Sequence, residues 1–111
     1  MDTPATYRQL IERLLTDYAR IPYAHGDVER QTIFDRAGDH YLLMLLGREG
    51  RRRVHGCLIH VDIREGKIWI QRDGTEHGIV RELMAAGLPK EQIVLAFRSP
   101  EMRQLGEFAV A

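Results

Sequence analysis

His60 and Asp62 stand two residues apart in an apolar, alternating run, Arg53 to Ile63. On one face of a strand such a pair lies ~6–7 Å apart at the α-carbons, within side-chain reach. An imidazole beside a carboxylate is acid/base chemistry in its simplest form. Alternation sorts the neighbours by parity. His55, Cys57, Ile59, Val61 and Ile63 fall on one face, and Val54, Gly56, Leu58, His60 and Asp62 on the other. With Glu65-Gly66 as a two-residue turn, Asp62 faces Trp69 and His60 faces Gln71, with Asp73 next on that side. The opposite side pairs Ile63 with Ile68 and Val61 with Ile70, a core surface. The polar face of His60, Asp62, Trp69, Gln71 and Asp73 has three readings: a catalytic or ligand site, a face for a partner chain, or a wet sheet face. Trp69 among polar neighbours favours the partner, because Trp is a common interface anchor.

Other chemistries find less support. His55 and His60 point to opposite faces and share no ion. His25, His40 and His77 fall in a loop, at a strand start and on a helix, without zinc-type spacing. No metal and no cofactor is expected. Ser99 is the only serine and precedes a proline, and no phosphate loop follows Gly47 or Gly50. Arg48, Arg51, Arg52 and Arg53 form one dense positive patch on a turn, suited either to gripping phosphate or to shielding a sheet edge. Sixteen basic residues balance sixteen acidic ones. A neutral body adds no wider attraction for a polyanion, so direct DNA binding is expected to be weak and salt-sensitive.

These residues need a scaffold. A chain of 111 residues, 44% apolar, fits a single domain over 1–111 with its own core. Tyr7, Leu10, Ile11, Leu14, Leu15 and Tyr18 recur at helical spacing, with Thr3 as N-cap, Pro4 at the first turn and Pro22 as the stop. On the polar side, Arg8 with Glu12 and Arg13 with Asp17 are spaced for helix-surface pairs. Val28–Asp35, Tyr41–Leu46, Arg53–Ile63 and Ile68–Gln71, joined by short Gly-containing turns, read as a four-stranded antiparallel meander. The first is an edge strand, and the second, apolar on both faces, is central. A second helix follows Asp73-Gly74 with Thr75 as N-cap, and Gly87 and Pro89 end it. Ile93–Phe97 is a short apolar segment, strand or buried extended chain. Ser99-Pro100-Glu101 opens a helical turn, and Phe108–Ala111 docks. The fold class is α+β. Cys57, the lone cysteine, reads as a small core residue in a reducing cytoplasm. The first residues do not read as a secretory signal, and the longest apolar run, Tyr41–Leu46, is too short for a membrane helix.

Several stretches together resemble the XisI family, the fdxN-element excision controlling factor proteins of cyanobacteria. They are Tyr7-Arg8, Ala19-Arg20-Ile21-Pro22-Tyr23, Phe34-Asp35 with His40-Tyr41-Leu42-Leu43, Arg53 to His60, Lys67 to Glu76, and Phe108-Ala109-Val110-Ala111. His77 and the Arg51-Arg52-Arg53 turn depart from the pattern and leave the central block intact. The resemblance implies a small α+β protein that is not a catalyst. It implies control of a programmed DNA excision in which a separate recombinase cuts and rejoins the DNA. The usual companion is an XisH-type protein, a nuclease-fold relative. No catalytic residues carry over. The expectation is a non-enzymatic accessory subunit that binds an XisH-type partner, and as a homo-oligomer itself, through the face bearing Trp69. The rivals are direct DNA binding by the arginine turn and a small enzyme or ligand sensor around His60 and Asp62.

Overall fold

The computed structural model describes residues 4–21 and 27–111. Helix α1 (Pro4–Ala19) is followed by strands β1 (Asp27–Asp35), β2 (His40–Glu49), β3 (Arg52–Arg64) and β4 (Lys67–Asp73). Helix α2 (Ile79–Ala85), a short 3-10 turn (Lys90–Gln92), strand β5 (Ile93–Leu95) and helix α3 (Pro100–Gln104) complete it. The expected caps and stops at Thr3 and Pro22, and His25, lie outside the described residues.

The periodic stripe of α1 is its buried face: Tyr7, Leu10, Ile11, Leu14 and Leu15 are all buried. They join Tyr41, Leu43, Ile59, Val61, Ile63, Ile68 and Ile70 of the sheet and Ile79 and Leu83 of α2 in one core. The sheet therefore has a helix-covered face and a far face. The Arg8–Glu12 pair expected within α1 is replaced by two longer-range ones. Arg8 reaches Asp39 (2.7 Å) and Arg36 reaches Glu12 (2.7 Å), both tying α1 to the β1–β2 turn. Asp17 pairs with Arg20 at 3.9 Å. A turn converging on the helix offers shorter paths than the helix surface does.

The sheet has five strands in the order β1-β2-β3-β4-β5, and β5 runs parallel to β4. The four-stranded antiparallel meander is thus one strand short. Ile93, Val94 and Leu95 are buried on both faces, as a parallel strand is, and α2 lies in the crossover that parallel pairing needs. β1 is the edge and β2 is internal, as expected. Ala109 bridges in parallel to Val94, with its N–H donating to the Ile93 carbonyl at 2.9 Å, so the apolar last segment docks as expected.

Helix α2 starts later than expected. Thr75 is not its cap: its Oγ1 accepts from the Gly78 N–H in the preceding turn. The cap comes from upstream, where Asp73 Oδ2 accepts from the Ile79 N–H at 2.7 Å. Gly87, at φ 105°, closes the other end, with Leu88 N–H donating to the Leu83 carbonyl and Gly87 N–H to Met84. Ser99 Oγ caps α3 by accepting from the Met102 N–H. No helix among the described residues is long and apolar enough to cross a membrane.

Two single-residue bulges decide what stands on the far face. From Glu49↔Arg52 to Met44↔Cys57 the β2–β3 pairs run one for one, but the next pair is Leu43↔Ile59. Leu58 is the extra residue. Cys57 and His55, paired with Met44 and Leu46, therefore lie on the far face rather than with Ile59 as alternation alone expects. Cys57 is half-buried there, not a core residue. In β3–β4, Ile63↔Ile68, Asp62↔Trp69 and Val61↔Ile70 pair as expected, and then the register shifts to His60↔Arg72 and Ile59↔Asp73. Gln71 is the extra residue here, and Asp73 crosses to the helix-covered side.

A candidate His–Asp–His site on the far face

Without the extra Leu58, a two-residue Gly50-Arg51 turn would set His40 opposite Val61. With it, His40 pairs with Asp62 and Leu42 with His60. Three side chains converge as a result. Asp62 Oδ1 lies 2.8 Å from His40 Nδ1 and 2.8 Å from His60 Nε2. The other oxygen, Oδ2, accepts from Gln71 Nε2 at 3.2 Å and lies 3.5 Å from the Arg64 guanidinium. Asp62 is the one buried charged residue among those described, only 2% exposed. Its imidazole partners are open, with side chains 47% exposed at His40 and 31% at His60.

Burial alone pushes the Asp62 carboxyl up. The hydrogen bonds from His40 and His60 outweigh it and hold the group below the ordinary carboxylate range. The hydrogen bond to Asp62 raises His40 above the ordinary histidine value. A buried carboxylate with four donors around it stays ionised, and it fixes both rings.

Trp69 stands beside this cluster, directly opposite Asp62. It is half-buried, with the Arg64 guanidinium 5.6 Å and the Arg103 guanidinium 5.8 Å from its ring centre, in cation–π range. Val94 shares its face and is fully buried, and Arg103 of α3 lies over the Trp69 ring, so this half of the far face is covered. Trp69 Nε1 is buried and has no hydrogen-bond partner among the described residues. The other half is more open among the described residues. Ile33, 49% exposed, pairs with Leu42, and the half-buried Met44 and Leu46 continue the apolar stripe.

Of the five residues expected to share this face, His60, Asp62, Trp69 and Gln71 do so. Asp73 does not. Its Oδ1 accepts from Thr75 N–H and Oγ1 and its Oδ2 from Ile79 N–H, which makes it the brace of α2. His40 and Arg64 are the members that alternation missed. A carboxylate in the middle of a buried hairpin needs partners, and that need was the available signal.

The arginine turn is where it was expected. Arg48, Arg51, Arg52 and Arg53 are exposed at the β2–β3 hairpin. Arg52 is partly neutralised by Glu49 at 3.1 Å, and Arg53 donates to the Gly47 carbonyl. An open groove of about 530 Å³ runs from Arg52 and Arg53 past His55 and Cys57 to Arg72. Burial raises the Cys57 thiol above its ordinary value, so it is a poor nucleophile.

The family model described as XisI protein matches residues 1–110. A XisI-like protein from Anabaena variabilis ATCC 29413 is 40% identical over 96% of this chain and 98% of its own, with a TM-score of 0.89. The fdxN element excision controlling factor XisI from the same organism is 36% identical over 95% of this chain and 96% of its own, with a TM-score of 0.80. No curated protein matches. Matching nearly end to end in sequence and in fold, this chain belongs to the XisI family.

Proposed function

We propose that the protein is a non-enzymatic controlling factor for programmed DNA excision, acting in the cytoplasm by docking an XisH-type partner on the far face of its sheet. The family supports the process, since a similar solved structure is described as an fdxN element excision controlling factor. The apolar stripe of exposed Ile33 with half-buried Leu42, Met44 and Leu46 carries the docking. An apolar stripe rimmed by His40, His60 and Trp69 has the make-up of an interface core with a polar rim. Trp69, already held by two arginines, contributes at the rim rather than as a free anchor.

Co-purification with the XisH-type partner tests this. Ile33→Asp puts a charge at the most exposed position of the stripe and weakens the complex ~10-fold or more, a desolvated charge costing over 1.4 kcal/mol. Leu105→Asp, at an 81% exposed site on the α3 side, leaves it intact. Unchanged binding by a folded Ile33→Asp protein removes the stripe from the interface.

A second reading has one observation in its favour, the basic groove of Arg52, Arg53, His55 and Arg72. Duplex DNA binding that falls steeply with salt and disappears when Arg48, Arg51, Arg52 and Arg53 become Ala supports it.

A further inference from the structure

We propose that His40, His60 and Asp62 bind one divalent transition-metal ion. This inference is independent of the docking partner. A ring nitrogen of His40, a ring nitrogen of His60 and a carboxylate oxygen of Asp62 lie within 4.8 Å of one another. Two imidazoles and one carboxylate on one side of an ion, with the other positions open, form a recurrent three-ligand face for first-row metals. Two imidazole nitrogens with one carboxylate oxygen suit first-row ions such as Ni(II), Co(II) or Zn(II).

The surroundings fit a ligand set. Gln71 and Arg64 occupy Oδ2, which leaves Oδ1 turned toward both rings. Such outer partners orient a metal-binding carboxylate. The ligands sit on two neighbouring strands of a packed sheet, which holds their backbones in place, while the rings must turn from their hydrogen bonds with Oδ1 to admit an ion between them. The exposed edges of His40 and His60 give an ion a route from solvent and leave room for water on the remaining positions. In the metal-free protein each ring nitrogen facing Oδ1 carries a proton. On binding, those nitrogens present lone pairs, and the protons move to the other ring nitrogen or to solvent. Arg64 is the opposing influence, a positive charge that keeps affinity moderate.

Trp69 is the only tryptophan and stands opposite Asp62, so its emission reports the site directly. Tag-free protein titrated with Ni(II) or Co(II) is expected to show saturable quenching at one equivalent. His40→Gln and His60→Gln each weaken binding ~10-fold or more, as loss of a ligand does, while His55→Gln and His77→Gln leave it unchanged. Asp62→Asn is the third ligand test, and the two histidine variants, at open positions, decide the matter if that protein fails to fold. Quenching that never saturates, or that His40→Gln and His60→Gln leave intact, overturns the site. Because the readout needs no partner protein, failure here leaves the docking reading standing, and failure to co-purify leaves this one.

Discussion

His40 stands directly across from Asp62, with Nδ1 2.8 Å from the carboxylate, because β3 carries one residue more than β2 between the turn and that pair. The extra residue, Leu58, is partly buried and packs against the core. An assembly of three polar groups thus depends on one inserted residue two positions from His60.

Asp73→Ala tests the division of labour between the two faces. It removes the acceptors of Ile79 N–H, Thr75 N–H and Thr75 Oγ1. Loss of a helix-capping carboxylate costs about 1–2 kcal/mol, read as a lower urea midpoint with an unchanged slope. Metal binding and partner binding are expected to survive, since Asp73 serves the helix-covered face.

Acid destabilises the contact between α1 and the β1–β2 turn. The hydrogen bond from Arg36 holds Glu12 below the ordinary carboxylate value, against the burial that pushes it up. Arg8 does the same for Asp39. A depressed folded value means stability that is present above the unfolded carboxylate pKa and lost as pH falls through the folded one. Tyr41, pushed to about 12 mainly by burial, is neutral throughout. Urea midpoints of the wild type and Glu12→Gln are expected to differ at pH 7 and to converge below pH ~4. A gap that stays constant with pH would assign the effect to packing instead.

Glu65→Asn is expected to stabilise the protein. Glu65 and Gly66 form the β3–β4 turn with φ of 50° and 77°. A two-residue hairpin turn with both residues left-handed prefers Asn-Gly, and a long side chain in that conformation carries a penalty. A gain of about 0.5–1 kcal/mol in urea unfolding is the expected result.

Periodicity alone exposed the α1 stripe, because Tyr7, Leu10, Ile11, Leu14 and Leu15 all answer to one burial demand. The β3–β4 pairing was legible as far as Val61↔Ile70, because its turn is short and its apolar residues alternate. Bulges were not. Leu58 and Gln71 are ordinary strand residues, and nothing in their chemistry marks them as extra. Each flips everything beyond it, which is how Cys57 and Asp73 changed sides. The Arg8–Asp39 and Arg36–Glu12 pairs were hidden for another reason. Only a folded turn brings them together, and the local spacing within α1 offered a decoy.

The parallel strand carries a consequence for synthesis. Ile68 awaits Ile93 before the rim of β4 is closed, whereas the antiparallel hairpins need only their nearest neighbours. Non-local pairing is slow, so closure at β5 is expected late in folding. A nascent or truncated chain lacking Ile93–Leu95 would present an unzipped backbone ribbon backed by Ile68 and Ile70, and it would polymerise through that ribbon.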